Sequence, residues 1–259
     1  MNKIITLSIL TFLAQSCSQN KLEKKGFQVN EIRENEAGEK IIGLAFDSLE
    51  LATRPRSVLL TKHSDHRLVP IYKINYDKNG KPYSGSNNFH RNWRPSEPGN
   101  NWNNNYLPGF EALYGYNLIN VSHYTNETQT QNEFFTKPVL IKTLYYPAFS
   151  NDTLNFKLVV RDYYMVSVYD EDTNKDGYVN ARDLRRLYLF DLNGKRIKNL
   201  VPTHHSVMSS EYDPANDFMY VFTKVDQNVN GQMEEEEPTH IFWIDLKDPK
   251  KSGLQYKPR

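Results

Sequence analysis

The sequence predicts an all-β fold built from repeated four-stranded antiparallel units. Three observations carry that prediction. Aromatic residues make up 13% of the chain and are mostly Tyr. They gather with Val, Ile and Leu in short runs such as "KLVVRDYYMVSVYD" and "THIFWIDL", a composition that favours pleated sheet. Between such runs lie clusters of Asn, Asp and Gly, the residues that turn a chain. Finally, the second half is self-similar at a shift of 54 residues: Asp172 falls on Asp226, Gly177 on Gly231 and "LYLFDL" (187–192) on "IFWIDL" (241–246). A period of that size marks stacked supersecondary units.

From the start of the chain, Lys3 precedes an apolar run from Ile4 to Ala14, and small residues follow. This is the pattern of a secretory signal peptide over residues 1–16, too short to span a membrane stably. Ala14-Gln15-Ser16 fits a small-x-small cleavage site, so the cut falls before Cys17. Cys17 is the single cysteine, and a lone cysteine in an exported chain has no intramolecular partner. The segment "LAQSC" resembles a bacterial lipoprotein box, which implies a lipid on Cys17 and a membrane-anchored protein of the cell envelope. It departs from the box where Ala14 stands three positions before the cysteine and Leu13 one further back. Stable anchoring takes more than one acyl chain, each contributing about 0.8 kcal/mol per buried methylene. A secreted or periplasmic soluble protein with an incidental cysteine is the alternative. Residues 17–28 are rich in Lys, Gln and Ser and read as a flexible tether.

Residues 29–259 are expected to form one domain. Its acids and bases nearly balance, giving the chain a net charge of +1 with no basic block, which argues against nucleic acid as a partner. Within it the repeat reads as strand, acidic loop, strand, turn. The flanks of the loops are crowded with Val, Tyr and Ile, so they are expected to be strands although "ARDLRRLYLFDL" taken alone has helical spacing. "IYKINYDKNGK" (71–81) and "NLINVSHYTNETQTQNEFFTKPVLI" (117–141) echo the same pattern earlier in the chain. Four-stranded units of about 50 residues arranged radially are β-propeller blades. The expected fold is β-propeller-like with about four blades, and a β-sandwich is the structural alternative. The repeats, mainly over residues 140–250, resemble blades of the Tol-type and WD-repeat propellers, without the WD dipeptide.

The loop "DTNKDGYVNARD" (172–183) has oxygen-bearing residues at the spacing calcium needs. A twelve-residue EF-type loop supplies ligands from positions 1, 3, 5, 7, 9 and 12, with Gly at 6. Those positions hold Asp172, Asn174, Asp176, the carbonyl of Tyr178, Asn180 and Asp183, with Val179 at position 8 facing the core. The loop resembles an EF-hand motif, with Asp at position 12 where Glu is usual. In the second loop the ligands would be Asp226, Asn228, Asn230, the carbonyl of Gln232, Glu234 and Glu237, with Met233 at position 8. Here Val229 and Pro238 depart from the pattern. Placed between strands, such loops resemble the Asp-x-Asp-x-Asp-Gly hairpin loops of integrin-type propellers, which implies a structural role for the ion. Solvated hairpin turns are the plain alternative. A helix-flanked calcium sensor is a third reading.

"NNFHRNWRPSEPGNNWNNNYLPGF" (87–110) reads as irregular loop from its Asn, Pro and Gly. Its Trp93, Trp102 and Tyr106 would suit stacking on a sugar or peptide, or would bury themselves against the domain. Of the histidines, His63 and His66 lie three apart, and the adjacent His204 and His205 point to opposite faces of a strand. They form no zinc-protease pattern, and no nucleophile elbow, phosphate loop or dinucleotide fingerprint occurs. The expected function is that of a calcium-binding, lipid-anchored envelope protein that binds an envelope protein or a glycan. The alternative is a glycan-acting hydrolase with two carboxylates in a propeller pocket.

Overall fold

The computed structural model describes residues 26–29, 31–34, 40–43, 51–76, 79–83, 87–90, 107–115 and 117–258. The signal peptide, Cys17 and most of the tether lie outside them. Among the described residues there are strands and no helix, so the chain is all-β.

Three sheets make the body. The first contains β4 (Thr53–Pro55), β5 (Leu59–Leu60), β6 (His66–Lys73), β11 (Leu118–Thr125) and β12 (Thr130–Glu133). Its order is β12-β11-β6-β4, with β5 also paired to β6. The central sheet contains β9 (Asn87–His90), β10 (Phe110–Gly115), β13 (Leu140–Pro147), β16 (Tyr163–Tyr169), β18 (Arg186–Asp191) and β19 (Arg196–Asn199), in the order β19-β18-β16-β13-β10-β9. The third is a meander of β20 (His205–Asp213), β21 (Phe218–Val225), β22 (Thr239–Asp245) and β23 (Ser252–Tyr256). Four small pairs complete the set: β1 (Phe27–Gln28) with β17 (Tyr178–Val179), β2 (Glu31–Glu34) with β3 (Lys40–Gly43), β7 (Asn75–Tyr76) with β8 (Pro82–Tyr83), and β14 (Asp152–Leu154) with β15 (Lys157–Val159).

Alternation along β16 explains how the sheets stack. Tyr164, Val166 and Val168 face a core shared with Leu68, Tyr72 and Val121 of the first sheet. Tyr163 and Met165 face the opposite way, into a core with Met219, Val221, Phe242 and Ile244 of the third. All of β16 is therefore buried, which is why its sequence reads as a nearly continuous apolar run. Each fully buried Phe or Leu side chain contributes roughly 1.5–3 kcal/mol. The neighbouring β18 repeats the division, with Tyr188 and Phe190 on the first side and Leu187 and Leu189 on the second.

The 54-residue repeat is real in space. It sets β16 on β21, β18 on β22 and β19 beside β23, each pair holding corresponding places in its own sheet. The third sheet has the expected four strands, whereas the central sheet exceeds them with six. The extra two come from the ends of the segment expected to be loop. Asn87–His90 and Phe110–Gly115 pair with each other, and the latter adds to β13. Phe110 and Ala112 point to one core and Leu113 to the other, an alternation hidden by the Asn-rich residues around it.

Candidate metal loops

The first acidic loop joins β16 to β18 and the second joins β21 to β22, so both emerge at the same end of adjacent sheets. Strands flank each of them. The helix-flanked sensor reading falls with that observation, because opening a sensor requires a pair of helices.

The two loops are held by the same internal hydrogen bonds. Asp172 accepts the amide hydrogens of Asp176 at 3.0 Å and Gly177 at 2.8 Å; Asp226 accepts those of Asn230 at 3.0 Å and Gly231 at 3.1 Å. Asn174 Oδ1 accepts from Asp176 N–H, and Asn228 Oδ1 from Asn230 N–H. Asp176 accepts from Tyr178 N–H, and Asn230 from Gln232 N–H. At the far end Asp183 accepts from Asn180 and Thr173 N–H, and Glu237 from Glu234 and Gln227 N–H. The longer Glu237 thus reaches the same donors as the shorter Asp183. Position four is left-handed in both loops, at Lys175 and Val229, each with φ 58°. A β-branched residue there is strained, so Val229 is held by the rest of its loop.

These carboxylates are not ordinary surface acids. Asp183 is 1% exposed, and burial pushes its carboxyl up to about 6 against the pull of the amides of Asn180, Asn174 and Thr173. Burial also raises Asp172, against the amides of Gly177 and Asp176. Desolvation disfavours the charged form, whereas a nearby cation favours it. Among the described residues no three His, Cys, Asp or Glu side chains converge as a metal cage. Each loop draws half of its expected oxygens from amides and one main-chain carbonyl.

The loops differ in what packs on them. Val179 is fully buried beside Phe27, Val29, Leu140 and Tyr169, whereas its counterpart Met233 is 47% exposed. The difference comes from the N-terminal strand. Phe27 and Gln28 pair with Val179 and Tyr178, and Val29 N–H donates to the Gly177 carbonyl at 3.0 Å. Gly26 (φ 53°) makes this approach possible, since a Cβ there would lie 1.7 Å from the Val179 oxygen. The two loops also touch directly: Thr173 Oγ1 donates to the Gly231 carbonyl at 2.6 Å.

Elsewhere, Trp93, Trp102 and Tyr106 lie outside the described residues. Phe110 is core, set edge-on to Tyr163 with the Arg161 guanidinium 5.6 Å from its ring centre. Two histidine contacts escaped the sequence reading. His66 Nδ1 meets His123 Nε2 at 3.1 Å, and His205 Nε2 meets His240 Nδ1 at 3.0 Å. Partners that far apart in sequence carry no local spacing signal. A cleft of about 480 Å³ beneath the β14–β15 hairpin holds Asp162 and Asp217. Asp217 is engaged there by both Nη atoms of Arg161, at 2.8 and 2.9 Å.

Compared with known protein families and with characterised proteins, the chain matches none of them significantly. Its function therefore has to be argued from its own residues.

Proposed function

We propose that the protein is a calcium-stabilised, lipid-anchored component of the bacterial cell envelope that serves as a binding module for an envelope protein or glycan. The observation that carries the calcium reading is the repetition of one hydrogen-bond pattern in two loops 54 residues apart. A tight hairpin needs only its Asn-Gly or Asp-Gly corner. Here each twelve-residue loop instead turns oxygens at positions 1, 3, 5 and 12 inward. Each oxygen of Asp172 accepts one of the amide hydrogens of Asp176 and Gly177. A carboxylate oxygen has a second lone pair for another partner.

Asp172, Asn174, Asp176, the Tyr178 carbonyl, Asn180 and Asp183 would hold one ion. Asp226, Asn228, Asn230, the Gln232 carbonyl, Glu234 and Glu237 would hold another. Hard oxygens in this number suit calcium. Bound calcium supplies positive charge that offsets the burial of Asp183 and the mutual repulsion of the loop acids. Its role is structural, with the roughly 10⁻⁴–10⁻³ M affinity of extracellular modules.

The propeller-like arrangement belongs to the same proposal. Of the about four blades expected, strands β4-β6-β11-β12, β13-β16-β18-β19 and β20-β21-β22-β23 are read as three consecutive ones stacked face to face. Supporting this, the β6–β11 connection corresponds to the two acidic loops in its place within the unit. The anchor rests on "LAQSC" and Cys17.

Thermal melting of the full chain at rising calcium, with Asp172→Ala and Asp226→Ala, tests the calcium reading. The expected result is a rise in Tm that each variant reduces and the double variant abolishes. An unchanged Tm at millimolar calcium overturns it. Metabolic labelling with a fatty acid, lost in Cys17→Ser, tests the anchor separately.

A further inference from the structure

The third sheet packs on the central sheet with one face. Met219 and Val221 of β21, with Phe242 and Ile244 of β22, point into that shared core. The residues between them alternate to the other face: Phe218, Tyr220 and Phe222 on β21, Ile241 and Trp243 on β22. Each of these five keeps part of its surface in water. An antiparallel sheet packed on one side ordinarily carries polar residues on the other. A contiguous apolar patch in their place marks a binding surface.

Strand register sets these side chains in rows. Tyr220 stands opposite Trp243, and Trp243 opposite Gly253; Phe222 stands opposite Ile241, and Ile241 opposite Tyr256, which is 52% exposed. Gly253 fixes the attitude of the indole. A Cβ there would lie 2.9, 3.0 and 3.1 Å from Nε1, Cε2 and Cζ2 of Trp243. Near-equal distances to three ring atoms place the indole plane across that position, so its opposite side turns outward. Phe218, diagonal to it, is nearly parallel, with ring centres 5.4 Å apart and planes at 20°. Carboxylates line the rim: Glu211 stands opposite Tyr220, and Asp213 and Asp245 stand on either side of Phe218. The ammonium group of Lys247, in the turn after β22, is directed to the Asn216 carbonyl.

We infer that this face binds a neutral glycan, a chain of β-linked pyranoses. A pyranose presents a face lined with C–H bonds and a belt of hydroxyls. The C–H face stacks on the negative face of an aromatic ring, and the hydroxyls donate to carboxylates at the rim. The separation of the Phe218 and Trp243 rings is close to the advance of one sugar along such a chain. Charge selects against an acidic glycan, because Glu211, Asp213 and Asp245 repel carboxylates brought beside them. The inference rests on the binding-module reading above and names its partner class. It requires neither the lipid nor an ion in the loops.

Calorimetric titration of the full chain with cellohexaose, chitohexaose and hexagalacturonate, at constant calcium, tests it. Saturable binding of at least one of the two neutral sugars is expected, with weaker binding of hexagalacturonate. Tyr220→Ala weakens the neutral sugar about tenfold, as loss of one stacking contact does. Gly253→Ala, which tilts the indole without removing it, acts in the same direction. Glu211→Gln strengthens binding of hexagalacturonate, a gain that misfolding does not produce. Phe156→Ser, on the exposed tip of the β14–β15 hairpin, changes neither. Failure of both neutral sugars to bind at millimolar concentration overturns the inference, as does tighter binding of hexagalacturonate or equal losses in Gly253→Ala and Phe156→Ser. Self-association that Tyr220→Ala disperses, with no sugar bound, assigns the face to a second copy and also overturns it. Binding that survives both platform variants overturns this face as the site and leaves the binding-module reading standing. Binding here by a chain that takes up no fatty acid at Cys17 overturns the anchor and leaves this inference intact.

Discussion

Thr173 couples the two acidic loops through one hydroxyl. Its Oγ1 donates to the Gly231 carbonyl at 2.6 Å and accepts the amide hydrogen of Leu184 at 2.8 Å. Position 2 of the first loop is thereby tied to position 6 of the second and to the start of β18. Gly231 has φ 74°, and a Cβ there would lie 1.9 Å from the Thr173 carbonyl oxygen. The contact leaves room for glycine alone.

Two substitutions follow from that geometry. Gly231→Ala adds both backbone strain and a collision with main chain, and is expected to cost about 2 kcal/mol or more. Thr173→Val keeps the shape while leaving the Leu184 amide without its acceptor, at about 1–3 kcal/mol. Urea denaturation measures both. If the two loops act as one unit, either change also lowers calcium stabilisation in the loop it does not belong to.

The Arg161–Asp217 pair locks the other end of the central and third sheets together. Both side chains are about 3% exposed, and Arg161 also donates to the carbonyls of Pro108 and Leu246. Asp217→Asn leaves a buried guanidinium with its charge uncompensated. Removing one partner of such a pair costs about 3–5 kcal/mol. Asn tolerates the left-handed backbone of position 217 (φ 61°), so the loss reads out the charge. The double variant with Arg161→Met is expected to recover part of it in the same denaturation experiment.

Acid should remove the stability contributed by the paired histidines. Burial, then the neighbouring His240, His204 and Arg186, holds His205 down to about 4. Burial and His123 likewise lower His66, with His63 acting in the same direction and Asp65 and Asp191 opposing. An unfolded histidine titrates near 6.5. Between the two values the unfolded chain binds more protons, so the stability contributed by neutral His205 is full above about pH 6.5 and falls as pH drops toward about 4. Asp183, raised to about 6 by burial, acts in the opposite sense over part of that range, so the reading in chelator is a difference: between pH 7 and 5, His205→Asn is expected to lose less Tm, or gain more, than the native chain. A slope identical in the variant would assign the acid sensitivity to other groups.

Much of the fold could be read from the sequence because its signals are local. The strand composition of "DYYMVSVYD" and "IFWIDL", the Asn-Gly and Asp-Gly corners and the 54-residue period each lie within a short window. Strand flanks for both loops followed from the alignment of the ambiguous "ARDLRRLYLFDL" with its all-strand partner. What stayed hidden depends on distant register. Nothing in "GFQV" announces that it will pair with Tyr178–Val179, since two residues carry no period. The addition of Phe110–Gly115 to β13, the bulges at Lys142 and Met208, and the His66–His123 and His205–His240 contacts are likewise set by which strands become neighbours. The loops' position-8 residues show the same limit. Val179 is buried because the N-terminal strand covers it, and Met233 has no such cover.

The N-terminal strand should also be a sensitive reporter of the first loop. Phe27, 2% exposed, fills a core whose other side is Val179. Phe27→Ala is expected to cost up to about 3–5 kcal/mol if the whole domain depends on that packing, and less if β1 alone detaches. Hydrogen exchange at the Val29 amide, bonded to the Gly177 carbonyl, distinguishes the two. Rapid exchange at Val29 with β16 still protected would mean local release.

The most direct test of the central claim is a calorimetric calcium titration of the full chain beside the Asp172→Ala and Asp226→Ala variants. The account predicts two sites in the native chain with dissociation constants of roughly 10⁻⁴–10⁻³ M, and one site remaining in each variant. Heats indistinguishable from dilution, or a stoichiometry unchanged by either substitution, would contradict it.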